Sequence, residues 1–193
     1  QQAFDVVILN LPSDLKAAGI AARQAGIPHI IYRRGSAIPI KDRWLNRWLF
    51  QHVVTEIIAN SQATKQTILQ HNPQLFPQEK ITVLPNGFDF EAFDRQAAST
   101  IYRRRGDELV IGNAGRLTPQ KGQRDLIDLS LKLQEGRIPH HILIAGSGPL
   151  EKELKQYANQ KKVEKNVSFL GFQENIKAFM QSLDVFVLTS RWE

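Results

Sequence analysis

The sequence predicts an α/β protein made of two parallel-sheet units. Three observations carry that expectation. Short apolar runs rich in β-branched residues recur along the chain, helical periodicities fall between several of them, and the rhythm starts afresh after a polar seam. Strands that alternate with helices pair through crossovers, which gives parallel sheets covered on both faces.

Four strand candidates precede the seam: Val6–Leu9, His29–Tyr32, Glu56–Ala59 and Ile81–Leu84. Between them, IKDRWLNRWLFQH sets Trp44 and Trp48, and Arg43 and Arg47, one helical turn apart, with Leu45, Leu49 and Phe50 as apolar surface. Such a basic, aromatic helix either lies in a membrane interface or covers a core with solvated arginines at its rim. The seam opens on the turn cluster LPNGFD and closes on the charged run STIYRRRGDE. It divides the chain into a first unit over 1–94, a connector over 95–108 and a second unit over 109–193. Beyond it come Leu109–Ala114, His141–Ala145, Val167–Leu170 and Asp184–Leu188. Leu126, Leu129 and Leu133, then Leu150, Leu154 and Tyr157, then Ile176, Phe179, Met180 and Leu183 fall at helical spacing between them. Both ends read as unfinished, since the last strand looks buried and lacks its following helix, so the expectation is a piece of a longer protein.

Composition narrows the chemistry. The 193 residues contain no cysteine, which excludes disulfides and thiolate metal sites and fits a reducing compartment. No apolar run approaches the roughly 20 residues that span a bilayer. Twenty-five Lys and Arg against 19 Asp and Glu leave a net charge of +6, suited to an anionic partner. The five histidines lack zinc spacing, and there is no GxSxG elbow. The nearest metal-type acid pair, Asp89-Phe90-Glu91, reads as solvated, so no metal is expected. The His140-His141 pair opens a strand and reads as structural.

The informative stretch is GNAGRLTPQKGQRDLI. Ligands of open α/β sheets sit beyond the carboxyl ends of the strands, where helix N-termini present free N–H groups. Gly112 and Gly115 would let backbone approach an anion. Arg116 offers a planar fork for phosphate oxygens and Lys121 a mobile point charge. Together they could stabilise charge on a leaving diphosphate without a metal; the competing reading is a plain turn with solvated cations. The next strand ends in Gly146-Ser147-Gly148-Pro149, a tight turn with proline at a helix start; it lacks the third glycine of a dinucleotide fingerprint.

In order, these segments resemble a known family. IIANSQATKQTI, ITVLPNGFD, GRLTPQKG, LIAGSGP, VSFLGF and DVFVLTSRWE follow one another as in family-four retaining glycosyltransferases, and FDVVILN with AGIPHIIYRRG is similar to the end of that family's N-terminal domain. The resemblance implies the GT-B fold, two Rossmann-like domains facing a cleft, incomplete at both ends. It also implies transfer of a sugar from a nucleotide-diphosphate donor to a glycan or lipid-linked acceptor, with retention, in cell-surface polysaccharide or lipopolysaccharide synthesis. Cofactors are none; the setting is cytoplasmic, at the inner face of the membrane if Trp44 and Trp48 make peripheral contact.

By the same resemblance Arg116, Lys121 and Glu193 are the catalytic group, Glu193 standing beside the donor sugar. Gly115, Asn86, Gly87, Gly146, Ser147, Gly148 and Pro149 fall along the donor, and Asn10, Arg33 and Arg34 on the acceptor side. Asn10 and Arg34 stand where many members carry histidine, so the usual active-site histidine is not visible. Arginines there suit an acceptor bearing phosphate or carboxylate, or they pair with acids elsewhere. The ribose-binding acid, the loop after Glu193 and the first N-terminal strands are expected to lie outside the sequence, which alone should be inactive. Two alternatives stand beside this reading: a related GT-B enzyme such as a phosphorylase or epimerase, and a basic nucleic-acid-binding module. Against the module, aromatics do not interleave with the cations on a strand face, so no nucleic-acid partner is expected.

Overall fold

The computed structural model describes residues 4–97 and 99–192 and divides into two compact units, Gln1–Phe88 and Asp89–Glu193.

The first unit is a four-stranded parallel sheet in chain order, β1 (Val6–Leu9), β2 (His29–Arg34), β3 (Glu56–Ala59) and β4 (Ile81–Val83). Pairing sets Ile8 beside Ile31 and Ile57 beside Ile81. The first crossover is a helical stretch that the periodicity did not reveal: α1 (Pro12–Asp14), a π-type turn Leu15–Gly19 and α2 (Ile20–Gln24). Its inward positions are Leu15, Gly19 and Ala22, of which only Leu15 is large, so no apolar stripe rises. Gly19 is small for a reason, since a Cβ there would meet side-chain carbons of Leu9 and Val53 at 3.1 and 3.2 Å. Helix α3 (Trp44–His52) buries Leu49 and Phe50, and Phe50 packs edge-on against Tyr32 and Phe76 at 5.9 and 6.2 Å. Burial of two such side chains stabilises the unit by about 1.5–3 kcal/mol each. Trp44 and Trp48 instead face out, 78% and 41% exposed. Helix α4 (Gln62–Leu69) starts at Ser61, whose hydroxyl accepts the Thr64 amide at 3.1 Å.

The second unit holds β5 (Leu109–Ala114), β6 (His140–Ala145), β7 (Val167–Gly171) and β8 (Val185–Phe186), all parallel, in the order β7-β6-β5-β8. The chain runs outward from β5 and then returns to its other side, so β5 stands at the switch point of the sheet. On one face α6 (Arg124–Glu135) and α7 (Glu151–Gln160) bring Leu126, Ile127 and Leu154 onto Ile111, Ile142 and Ile144. On the other, α8 (Ile176–Gln181) brings Phe179 onto Val110, Leu143 and Ala145. Strand β6 is buried at every position, as its unbroken apolar run requires. The histidine pair is held inside the unit: His140 Nε2 lies 2.8 Å from the Ser130 hydroxyl and His141 Nε2 lies 2.8 Å from that of Ser168.

Two expectations need correction. Strand β8 is shorter than the Asp184–Leu188 run and is not buried. It is an edge strand paired with β5, and Val185 and Phe186 are 43% and 38% exposed. Asp184 turns its carboxylate back to accept the Val110 amide at 2.8 Å and to meet Arg104. The acid pair at 89–91 is exposed, as read, and Asp89 also caps α5 (Phe90–Arg95) by accepting the Ala92 amide at 2.8 Å, while Glu91 meets Arg95 at 3.5 Å in solvent. Finally, the compact units divide after Phe88, so the stretch read as a connector packs on the second unit. There the Ile101 amide donates to the Ser182 hydroxyl at 3.1 Å and Tyr102 stacks on His141 at 4.6 Å. Burial and a hydrogen bond to Glu108 push the Tyr102 phenol up to about 12.

Candidate active site

At the carboxyl ends of β5 and β6 two loops are held backbone to backbone. The Gly115 amide donates to the Ala145 carbonyl and the Leu117 amide to the Ser147 carbonyl, both at 3.0 Å, and Leu150 returns a bond to Leu117 at 3.2 Å. This contact is possible because the glycines lack side chains. Gly146 has φ +126°, a region open to glycine almost alone, and a Cβ on it would sit 2.0 Å from the Gly115 oxygen. A Cβ on Gly148 would sit 2.5 Å from the Leu117 oxygen.

Between β5 and α6 the chain makes a 3₁₀ turn, Pro119–Lys121, and leaves it through Gly122 in the left-handed conformation, φ 64°. The turn is pinned from within. Buried Gln123 donates to the Arg116 carbonyl at 3.0 Å, and the Thr189 hydroxyl donates to the Lys121 carbonyl at 2.8 Å. With these carbonyls tied inward, Arg116 stays exposed, and the Lys121 stem lies where a methyl on Gly115 would touch it at 3.7 Å.

Arg116, Gly115, Gly146 and Ser147 line one cavity of about 270 Å³, closed on its far side by Phe172, Gln173 and Ile176. The structure thus gathers three of the expected donor residues with Arg116 of the expected catalytic group, while Lys121 is not among the lining residues. Gly148 and Pro149 are not among its lining residues: Gly148 serves the contact with Leu117, and Pro149 precedes the α7 cap Leu150 rather than occupying the first helical position. Gly112 also has another role than anion approach. It is buried within β5, where a Cβ would meet the Leu183 side chain at 2.2 Å, so its smallness admits the turn after α8. Phe172, Gln123 and Thr189 escaped the sequence reading. Only Phe172 had left a signal, as the exposed end of VSFLGF. Glu193 lies outside the described residues. Among the described residues no cluster of His, Asp or Glu could hold a metal ion.

In the first unit the structure joins Asn10, Arg33 and Asn86. Arg33 donates to the Asn86 side-chain oxygen at 2.6 Å and to that of Asn10 at 3.4 Å. Gly87 follows in an exposed loop. Arg34, next along β2, is buried beside Tyr32, and it still lines one pocket together with Asn10 and Arg33, as well as a second cavity toward α3. On the α3 side Arg47 forms a forked pair with Asp42, two contacts of 2.7 Å, which holds the Asp42 carboxyl down to about 2.

Two parallel α/β units, the second with a cation-bearing, glycine-walled mouth at its switch point, define the GT-B class. A crystal structure of HepE (Alr3699) from Anabaena, in complex with UDP and glucose, superposes with a TM-score of 0.75 at 23% identity, over 97% of this chain and 53% of that one. The chain belongs to the family described as glycosyl transferases group 1, whose profile matches residues 94–193, while the profile described as Glycosyltransferase Family 4 matches residues 1–92. A Bacillus subtilis (strain 168) protein named as a glycosyltransferase, EpsF, is 32% identical over 90% of this chain and 48% of its own. An Escherichia coli relative, UDP-Gal:alpha-D-GlcNAc-diphosphoundecaprenol alpha-1,3-galactosyltransferase, is 28% identical over 100% of this chain and 54% of its own. The chain therefore spans about half the length of these relatives.

Proposed function

We propose that the full-length protein transfers a hexose from a nucleoside-diphosphate sugar to a glycan or lipid-linked acceptor, with retention, in the assembly of a cell-surface polysaccharide or lipopolysaccharide. The observation that carries this reading is the pair of laced loops at the ends of β5 and β6, which set an exposed guanidinium on a glycine-walled cavity. A diphosphate there gains Arg116 and Lys121 as the charge grows on its leaving oxygen. Fixed cations need no reorganisation at that moment, which is how electrostatic catalysis works without a metal. The cavity beyond, edged by exposed Phe172, accepts the nucleoside end, and Glu193 is assigned to the sugar side. The names of the relatives support the substrate classes: one takes UDP-Gal and a diphosphoundecaprenol-linked acceptor, and the Anabaena structure holds UDP. Among the described residues no helix is long and apolar enough to cross a membrane. We assign the protein to the cytoplasmic face of the membrane, touching it through Trp44 and Trp48.

The test is a thermal-shift screen of the full-length protein against uridine, guanosine and adenosine diphosphates and their sugars. The matching nucleotide at about 100 times its dissociation constant should add roughly 2.7 kcal/mol of stability. Transfer should persist in EDTA. No shift with any nucleotide, or activity lost in EDTA and restored by magnesium, would count against the reading.

A further inference from the structure

We propose that a second cavity, beside Arg34 in the first unit, binds an anionic amphiphile: a phosphate ester that carries a hydrocarbon chain. The cavity is about 380 Å³, between α3, the start of α1 and the loop 35–43. That is within the range of small-molecule pockets, about 300–1,000 Å³. Its floor is apolar, formed by Leu15, Leu49 and Phe50, each at least 96% buried. Into it projects Arg34, 8% exposed.

The state of that guanidinium carries the argument. It donates to the Tyr32 hydroxyl at 3.4 Å and to the Ile38 carbonyl, both neutral groups. Its Nε is buried with no partner, and among the described residues no carboxylate pairs with it. A buried cation without a counter-charge is costly, and a bound anion removes that cost. Lys16 and Lys41 stand at the edge of the same cavity, so its field attracts anions. Cations alone would suit free phosphate, and the floor alone would suit a plain hydrocarbon; the two together select an amphiphile. Helix α3 adds a further element, because it turns Leu45 and Leu49 to the cavity while Trp44 and Trp48 face solvent. Indole rings of that kind sit at membrane–water interfaces. This inference rests on the transferase reading for its meaning, since it names the carrier of the acceptor. Two sources share the chemistry, a prenyl diphosphate and a membrane phospholipid.

Calorimetry on the full-length protein separates them. The probes are farnesyl diphosphate below its critical micelle concentration, dihexanoyl phosphatidylglycerol, inorganic diphosphate, and UDP, GDP and ADP as donor-site controls. We expect one amphiphile to bind more tightly than inorganic diphosphate. Arg34→Met should weaken it about tenfold or more, the scale of a charge-assisted hydrogen bond, while UDP is unaffected. Ile38 is 52% exposed, so Ile38→Glu spares the core and offers Arg34 a carboxylate, and should compete away the same ligand. Tighter binding of farnesyl diphosphate assigns the site to a prenyl carrier, and tighter binding of the phospholipid assigns it to the membrane. A protein that binds UDP but neither amphiphile overturns the proposal, as does undiminished amphiphile binding in both variants. Amphiphile binding without binding of uridine, guanosine or adenosine diphosphate sustains the cavity and refutes the transferase reading.

Discussion

Replacing Gly146 by alanine should unfold the second unit more readily than any other single methyl added to the loops at the ends of β5 and β6. The new Cβ would lie 2.0 Å from the Gly115 oxygen and 2.9 Å from its carbonyl carbon, both backbone atoms that cannot swing aside. A side chain at φ +126° also occupies a region reserved for glycine, which costs about 1–3 kcal/mol. Overpacking adds about 1–3 kcal/mol. The sum is about 2–6 kcal/mol, a large part of the 5–15 kcal/mol that holds an ordinary domain together. Scanning calorimetry of the full-length protein should show a transition lowered by roughly 10 °C or more, at about 4–8 °C per kcal/mol for a unit of this size. If the variant folds in the cold, nucleotide affinity should fall too, because relief of the clash pushes Gly115 and Arg116 away from the cavity. Gly35→Ala is the control, since nothing lies within 4 Å of its added Cβ. A Gly146→Ala protein that melts with the wild type and binds nucleotide equally would refute the backbone-contact argument.

Arg116→Ala and Lys121→Ala should each lower kcat by about 10²–10³, the loss expected for one charge-stabilising donor, with the melting transition unchanged; wild-type kcat in steady-state assays of both would remove them from the site. Asp184 should make the second unit acid-sensitive. The Val110 amide and then Arg104 hold its carboxyl below the ordinary value, so its contribution is present above the unfolded pKa and is lost as pH falls through the lower folded value. Asp184→Asn should flatten the decline of unfolding midpoint below about pH 4, and a decline as steep as the wild type would exclude this role.

How far the sequence revealed this structure depended on whether a signal was local. Strands β5 and β6 were legible because a buried parallel strand must be apolar at nearly every position, and β1 and β3 matched to the residue. The stretch from Pro12 to Gln24 was not, because it packs through Gly19 and Ala22, and small residues leave no hydrophobic period. At the site, Gly115, Arg116, Gly146 and Ser147 were legible as turn and charge chemistry. The partnership of Arg33 with Asn86 spans 53 positions, and nothing in either segment announces it. Gln123 and Thr189 are equally silent, since a polar residue that ties down a carbonyl resembles any polar residue on a surface. Gly112 misled for a related reason: a glycine needed for side-chain packing is indistinguishable by type from one needed for ligand approach.

The lacing of Gly115 and Leu117 to Ala145 and Ser147 has a consequence for anyone redesigning donor choice. The two loops are one mechanical part with two sequence addresses. Transplanting the GRLTPQKG segment from a relative without its AGSGP counterpart would pair mismatched backbones across a contact with no slack. An insertion in either would displace the other. Exchange of specificity in this scaffold should therefore proceed by moving both loops together, and point substitutions should be confined to Phe172 and Gln173, which border the cavity without sharing in that seam.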